Sequence, residues 1–171
     1  MRKVAASTAF FAMAVVLLVA ALTSPTASAV RLDPRVTLFC DLATKHFAAF
    51  LPVSPAKEMD NFHCKLGATA KGEVDVYFPT LGSDSLERER IVSKALNAKL
   101  VDEPDLGEQA FSIAIDKGLD DGHGNKVYSV QYWVRRNAQI FSITLKRNRP
   151  FAAADYNSAR TNIKAFLAEL D

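Results

Sequence analysis

Residues 127–146 constrain the fold of this chain more than any other stretch. In 127–135 the apolar positions are Val130, Tyr132 and Val134, and in 139–146 they are Phe141, Ile143 and Leu145, with polar side chains between most of them. Alternation with a period of two marks a strand with one buried face, and two such runs joined by Asn137-Ala138 read as an antiparallel hairpin. A two-residue loop there pairs Val134 with Phe141, Tyr132 with Ile143 and Val130 with Leu145; the other face then sets Trp133 against Ser142 and Gln131 against Thr144. Moving the loop to Arg136-Asn137 shifts the partners by two and keeps both faces. Sidedness is therefore fixed more firmly than register.

The same alternation recurs upstream. Phe62, Cys64 and Leu66 enclose His63 and Lys65, and Val74, Val76 and Phe78 enclose Asp75 and Tyr77. Phe111, Ile113 and Ile115 mark a further strand, ended by the turn-rich residues 120–125, and 102–107 reads as a loop. Three segments have helical spacing instead. Residues 36–51 carry Phe39, Leu42, Ala43, Phe47 and Phe50 before Pro52 stops them, and Ser54-Pro55 opens a brief turn. Asp84 and Glu87 start a second helix, whose apolar stripe of Ile91, Val92, Ala95 and Leu96 runs to about Leu100. Tyr156, Ala159, Ile163, Phe166, Leu167 and Leu170 form the stripe of a terminal helix. Strands in runs predict an α+β domain, an antiparallel or mixed sheet of about five strands with helices packed on one main face, in the order αββαβββα.

The first 29 residues read as a secretory signal. Arg2 and Lys3 precede an apolar stretch, then Pro25, then the small-residue cleavage pattern Ala27-Ser28-Ala29. A retained anchor is the rival reading, since residues 4–22 approach the ~20 that span a bilayer, but Ser7 and Thr8 dilute the run. No Cys stands at the cleavage site for lipid attachment. This gives a signal peptide over 1–29, an extended leader over 30–35, and a single secreted domain over 36–171. Losing Arg2 and Lys3 takes the formal charge of +2 to zero, so no basic block remains to follow a nucleic-acid backbone. Membrane contact is expected only through the signal segment before cleavage.

Cys40 and Cys64 are the only cysteines. In an exported chain such a pair reads as a disulfide. A metal site using Cys40, Cys64, His46 and His63 is the alternative, but His63 and Cys64 are strand neighbours and point to opposite faces. His46 lies among apolar helix positions and reads as a boundary residue. Asp120, Asp121 and His123 lack the ligand spacing of a calcium loop. Ser54-Pro55-Ala56-Lys57 has the S-x-x-K spacing in which an amine activates a hydroxyl, without the companion motifs of that chemistry. Gly67 to Gly72 has phosphate-loop spacing, yet Glu73 stands where Lys is required. No cofactor is expected.

Gly107-Glu108-Gln109-Ala110-Phe111 leading into a strand, followed by the hairpin run from Trp133 to Ile143, resembles the Gly-x-x-Ala and Val/Arg/Asn hairpin pattern of small extracytoplasmic actinobacterial domains. These include secreted lipoproteins and the sensor domains of mycobacterial membrane Ser/Thr kinases. The resemblance implies a non-catalytic binding or sensor-like domain at the cell envelope, and it carries over no catalytic residue. The absence of a lipobox and a single Cys pair depart from the pattern. The expected function is recognition of a small molecule, lipid or protein partner; the alternative is a small hydrolase-like envelope enzyme using Ser54 and Lys57. Among the residues facing away from the hairpin's buried side, Trp133, Arg135, Gln131, Ser142 and Thr144 form the candidate binding set, because a large aromatic beside Arg is typical of recognition surfaces.

Overall fold

The computed structural model describes residues 34–51, 57–60, 63–68, 72–81, 84–96 and 98–171. The expected signal segment, the Ser54-Pro55 turn and Phe62 lie outside them. Helix α1 spans Pro34–Phe47 and tightens into a 3-10 turn over Ala48–Phe50. Strands β1 (Lys57–Met59), β2 (His63–Ala68) and β3 (Gly72–Leu81) follow, then helix α2 (Asp84–Ala95). The chain continues through β4 (Lys99–Asp102), β5 (Gln109–Asp120), β6 (Lys126–Arg136) and β7 (Gln139–Arg147) to helix α3 (Ala153–Ala168). The strands form one sheet in the order β1-β2-β3-β7-β6-β5-β4, antiparallel throughout.

The domain is α+β as expected, but among the described residues its sheet has seven strands rather than about five. Both additions are short edge strands. Lys57–Met59 is three residues, two of them charged, and acquires strand geometry only by pairing with β2. Lys99–Asp102 replaces the expected last turn of the second helix, with Leu100 paired to Ile113. Four residues are too few for periodicity to separate a strand from a fraying helix, and short edges also limit sheet-to-sheet association.

The hairpin register is the one a two-residue loop predicts, down to Val134 with Phe141 and Trp133 with Ser142. Asn137 and Ala138 both adopt positive φ, 50° and 60°, which matches the twist of the flanking strands. Glu108 Oε1 accepts the Asn137 backbone N–H at 3.0 Å, and Asp171 Oδ1 accepts the Asn137 side-chain amide at 2.8 Å. The loop before β5 lies so close to β6 that a Cβ on Gly107 would stand 2.3 Å from the Arg135 carbonyl oxygen. A residue without a side chain is required there.

Helices α1 and α3 cover one face of the sheet. Val36, Phe39, Cys40, Ala43 and Phe47 turn inward at helical spacing, as do Ala159, Ile163, Phe166 and Leu167. They meet Cys64, Leu66, Val74, Val76, Val130, Tyr132, Val134, Ile143 and Leu145, and Phe39 and Phe47 pack against Phe166 with ring centroids 5.4 and 5.6 Å apart. Each fully buried side chain of this size stabilises the fold by about 1.5–3 kcal/mol. The Cys40–Cys64 disulfide ties α1 to β2, with Cα atoms 5.6 Å apart. Glu103, 5% exposed, fixes the β4–β5 loop to α3: Arg160 Nε donates to its Oε2 at 2.6 Å, and Ser112 Oγ to its Oε1 at 2.7 Å.

Helix α2 departs from the expected arrangement by lying on the opposite face. The β3-to-β4 connection must run from the middle of the sheet to its far edge, and it crosses over the outside. There Leu86 joins Phe111, Ile113 and Ile140 in a second cluster, with Ala98, Leu100 and Trp133 packed against it. Arg90 places its guanidinium 4.6 Å from the Phe111 ring centroid and donates to Asp102 at 2.7 Å. The expected apolar stripe of α2 is not its buried side: Ile91, Val92 and Leu96 are 58, 43 and 75% exposed. Leu86, Arg90 and Ser93, one helical face apart from that stripe, are the residues turned to the sheet, with Arg90 contributing its hydrocarbon stem.

Candidate functional site

The outer face is built by the residues that alternate with the core. Antiparallel register aligns them in rows across β2, β3, β7 and β6: His63, Tyr77, Ser142 and Trp133 in one, and Lys65, Asp75, Thr144 and Gln131 in the next. A third row brings Glu73 opposite Lys146. Four of the five candidate residues, Trp133, Gln131, Ser142 and Thr144, thus adjoin on two neighbouring strands. Arg135 occupies the following row opposite Ile140. Gln131 donates its side-chain amide to Ser142 Oγ at 3.0 Å.

Charge on this face is internally matched. Lys146 Nζ donates to Glu73 Oε1 and to Asp75 Oδ2, both at 2.6 Å, and Lys65 Nζ lies 3.7 Å from the second Glu73 oxygen. Burial pulls the Lys146 pKa down, but the hydrogen bonds and charges of Asp75 and Glu73 outweigh it and raise it overall. The ammonium is therefore held charged. Glu73 and Asp75 are only 2 and 7% exposed, which their pairing with Lys146 makes tolerable. His63 Nδ1 sits 2.9 Å from Asp60, and its ring stacks on Tyr77 with centroids 5.3 Å apart; Tyr77 is 47% exposed.

Two buried polar atoms here lack a hydrogen-bond partner, Asp75 Oδ1 and Trp133 Nε1. Trp133 points outward as strand alternation predicts, and is half-buried because α2 and Phe111 pack beside it. It serves the α2 cluster as well as the face. Asp75, Tyr77, His63 and Lys65 were legible as outward-pointing from their own strands. What the sequence did not reveal was the pairing of β3 with β7, which brings them beside Ser142 and Thr144.

The other candidate chemistries fare as follows. Lys57 Nζ is engaged by Asp41, donating to its Oδ1 at 2.5 Å. Ser54 lies outside the described residues. The disulfide takes both sulfurs of the four-residue metal alternative, while His46 pairs with Glu169 at 2.9 Å. In the 120–125 loop, Asp121 Oδ1 accepts the backbone N–H of His123 and Asn125, and Asp120 Oδ1 accepts that of Gly122, so these carboxylates shape the turn. A cavity of about 480 Å³ lies at the β4–β5 loop, lined by Glu103, Arg160, Thr161 and Lys164, but its buried carboxylate is already committed to Arg160 and Ser112.

The site and fold define an α+β domain with an antiparallel sheet, one face covered by α1 and α3 and the other carrying α2 beside a paired polar and aromatic surface. The chain matches no family model, no curated protein and no solved structure.

Proposed function

We propose that this chain is a secreted, non-catalytic binding domain of the cell envelope whose outer sheet face recognises its ligand. The observation that carries this reading is the Tyr77 ring, half-exposed and held by stacking on His63, in the row beside Ser142 and next to Thr144 and Gln131. A large aromatic held rigid and exposed on a polar sheet face is the kind of anchor that recognition surfaces use. The disulfide is consistent with an oxidising compartment, and no helix among the described residues is long and apolar enough to cross a membrane. The resemblance to small extracytoplasmic actinobacterial domains points the same way.

The reading is tested by nuclear magnetic resonance on ¹⁵N-labelled exported protein titrated with an extract of the envelope of the exporting cells. Trp133 is the only tryptophan, so a single indole N–H resonance reports on it. Shifts centred on that resonance and on Gln131, Ser142 and Thr144 are expected. Shifts centred on α1 and α3, or none, overturn the assignment. Intact mass of the exported protein should begin at Val30, and retention of residues 1–29 would remove the basis for calling it secreted.

A further inference from the structure

We infer that the cavity at the corner where β3 begins and β7 leads into α3 is a second site, independent of the outer face, for a small organic acid carrying a single carboxylate. The cavity measures about 220 Å³, against roughly 300–1,000 Å³ for pockets that enclose drug-sized ligands, so its occupant is small. Its wall divides by polarity. Phe50, Leu51 and Phe151 supply apolar carbon and are only partly buried, while Asn148, Arg149 and Ser158 supply donors.

The hydrogen bonds of the two arginines separate a committed cation from an open one. Arg147 donates through Nε to the Arg149 carbonyl at 3.1 Å, through Nη2 to the Pro150 carbonyl at 2.8 Å, and through both Nη atoms to Asp155. Its guanidinium also lies 3.9 Å from the Phe151 ring centroid. Those bonds hold Asp155 ionised, so Arg147 and Asp155 neutralise each other. Arg149 is different. It stands 4.0 Å from Asp155 Oδ1, beyond hydrogen-bonding reach, its side chain is 68% exposed, and its guanidinium donates no hydrogen bond among the described residues. Lys146 borders the cavity too, but its ammonium donates to Glu73 and Asp75.

An open guanidinium beside an ionised acid selects a ligand with one negative charge. A planar carboxylate takes both prongs of the Arg149 fork. A doubly charged phosphate would add a second charge next to Asp155 with no second open cation to meet it. Ser158 offers a further donor: its Oγ accepts from Asn162 Nδ2 at 3.4 Å, which leaves its own O–H to give. The apolar side of the cavity, Phe50 and Leu51, then receives the short carbon body of the acid.

The test titrates ¹⁵N-labelled exported protein with butanoate, benzoate, benzamide and inorganic phosphate, read by nuclear magnetic resonance. Saturable shifts at Asn148, Arg149 and Ser158 are expected with butanoate or benzoate, weakened about tenfold by Arg149→Gln and several-fold between 50 and 500 mM NaCl. Arg149 is exposed, so the variant should keep the wild-type Tm within about 2 °C, which separates lost binding from lost folding. The Trp133 indole resonance should stay in place, and a shift centred there instead moves the binding to the outer face and overturns the separate site. An equal response to benzamide overturns the anionic ligand, and a response to phosphate alone overturns the carboxylate. Shifts unchanged by Arg149→Gln, or none with any probe, overturn the site.

Discussion

Asp155 shows how one carboxylate organises the turn into α3. Arg147 donates to both of its oxygens, at 2.9 Å to Oδ1, and the Ala152 backbone N–H donates to Oδ2 at 2.7 Å. The hydrogen bonds from Arg147 are the main reason its pKa falls from 3.8 to about 2. A carboxyl whose pKa is depressed by folding adds stability that is present above the unfolded value and lost as pH drops through the folded one. Asp155→Asn should therefore cost about 1 kcal/mol in urea unfolding at pH 6, with the difference from wild type shrinking between pH 4 and 2. A difference that stays constant with pH would place the effect elsewhere. Ala138 is the opposite case, a residue at odds with its backbone. At φ 60° its Cβ is strained, and Ala138→Gly should stabilise the hairpin by up to about 1 kcal/mol, read as a rise in Tm of a few degrees. No change or a fall would mean the turn is not under strain.

At the scale of elements, α2 is joined to the sheet by the smaller of the two apolar clusters. Its apolar contact with the sheet rests on Leu86 and the cluster beside Trp133, supported by Arg90 over Phe111. Trp133→Ala should cost roughly 2–3 kcal/mol and speed amide exchange in Asp84–Ala95, while α1 and α3 keep their protection. Uniform loss of protection across the chain would show that the second cluster and the main core unfold as one. Because Trp133 supports α2 as well as the outer face, its truncation confounds packing with recognition. Tyr77 and Thr144 make cleaner probes of binding. The outward stripe of Ile91, Val92 and Leu96 shows how a helix can carry two faces, with the more polar one buried through an arginine stem.

At the scale of the whole molecule, the disulfide joins α1 to β2. The cysteines are 24 residues apart and fully buried. In the chain-entropy account a loop of this length contributes about 3 kcal/mol, so replacing both with Ala should lower Tm by roughly 10 °C. A shift below about 2 °C would show that α1 is held by Phe39, Phe47 and Phe166 packing alone. The variant should keep its outer-face binding, since neither cysteine faces that side.

The period-two pattern in 127–146 determined which side chains share a face, so Trp133, Gln131, Ser142 and Thr144 emerged together from local rules, while the choice between the two loop positions was settled by the structure at Asn137-Ala138. Cys64 among inward residues likewise placed it within reach of Cys40. These are properties of a few consecutive residues, and the chain's own geometry enforces them. The strand order, the placement of α2 on the outer face, the brief strands at Lys57–Met59 and Lys99–Asp102, and the meeting of Asp75 with Thr144 were decided only by tertiary structure. They depend on pairings between segments far apart in sequence. Local periodicity carries no record of which strand becomes a neighbour, because the same alternating face satisfies any partner of matching polarity.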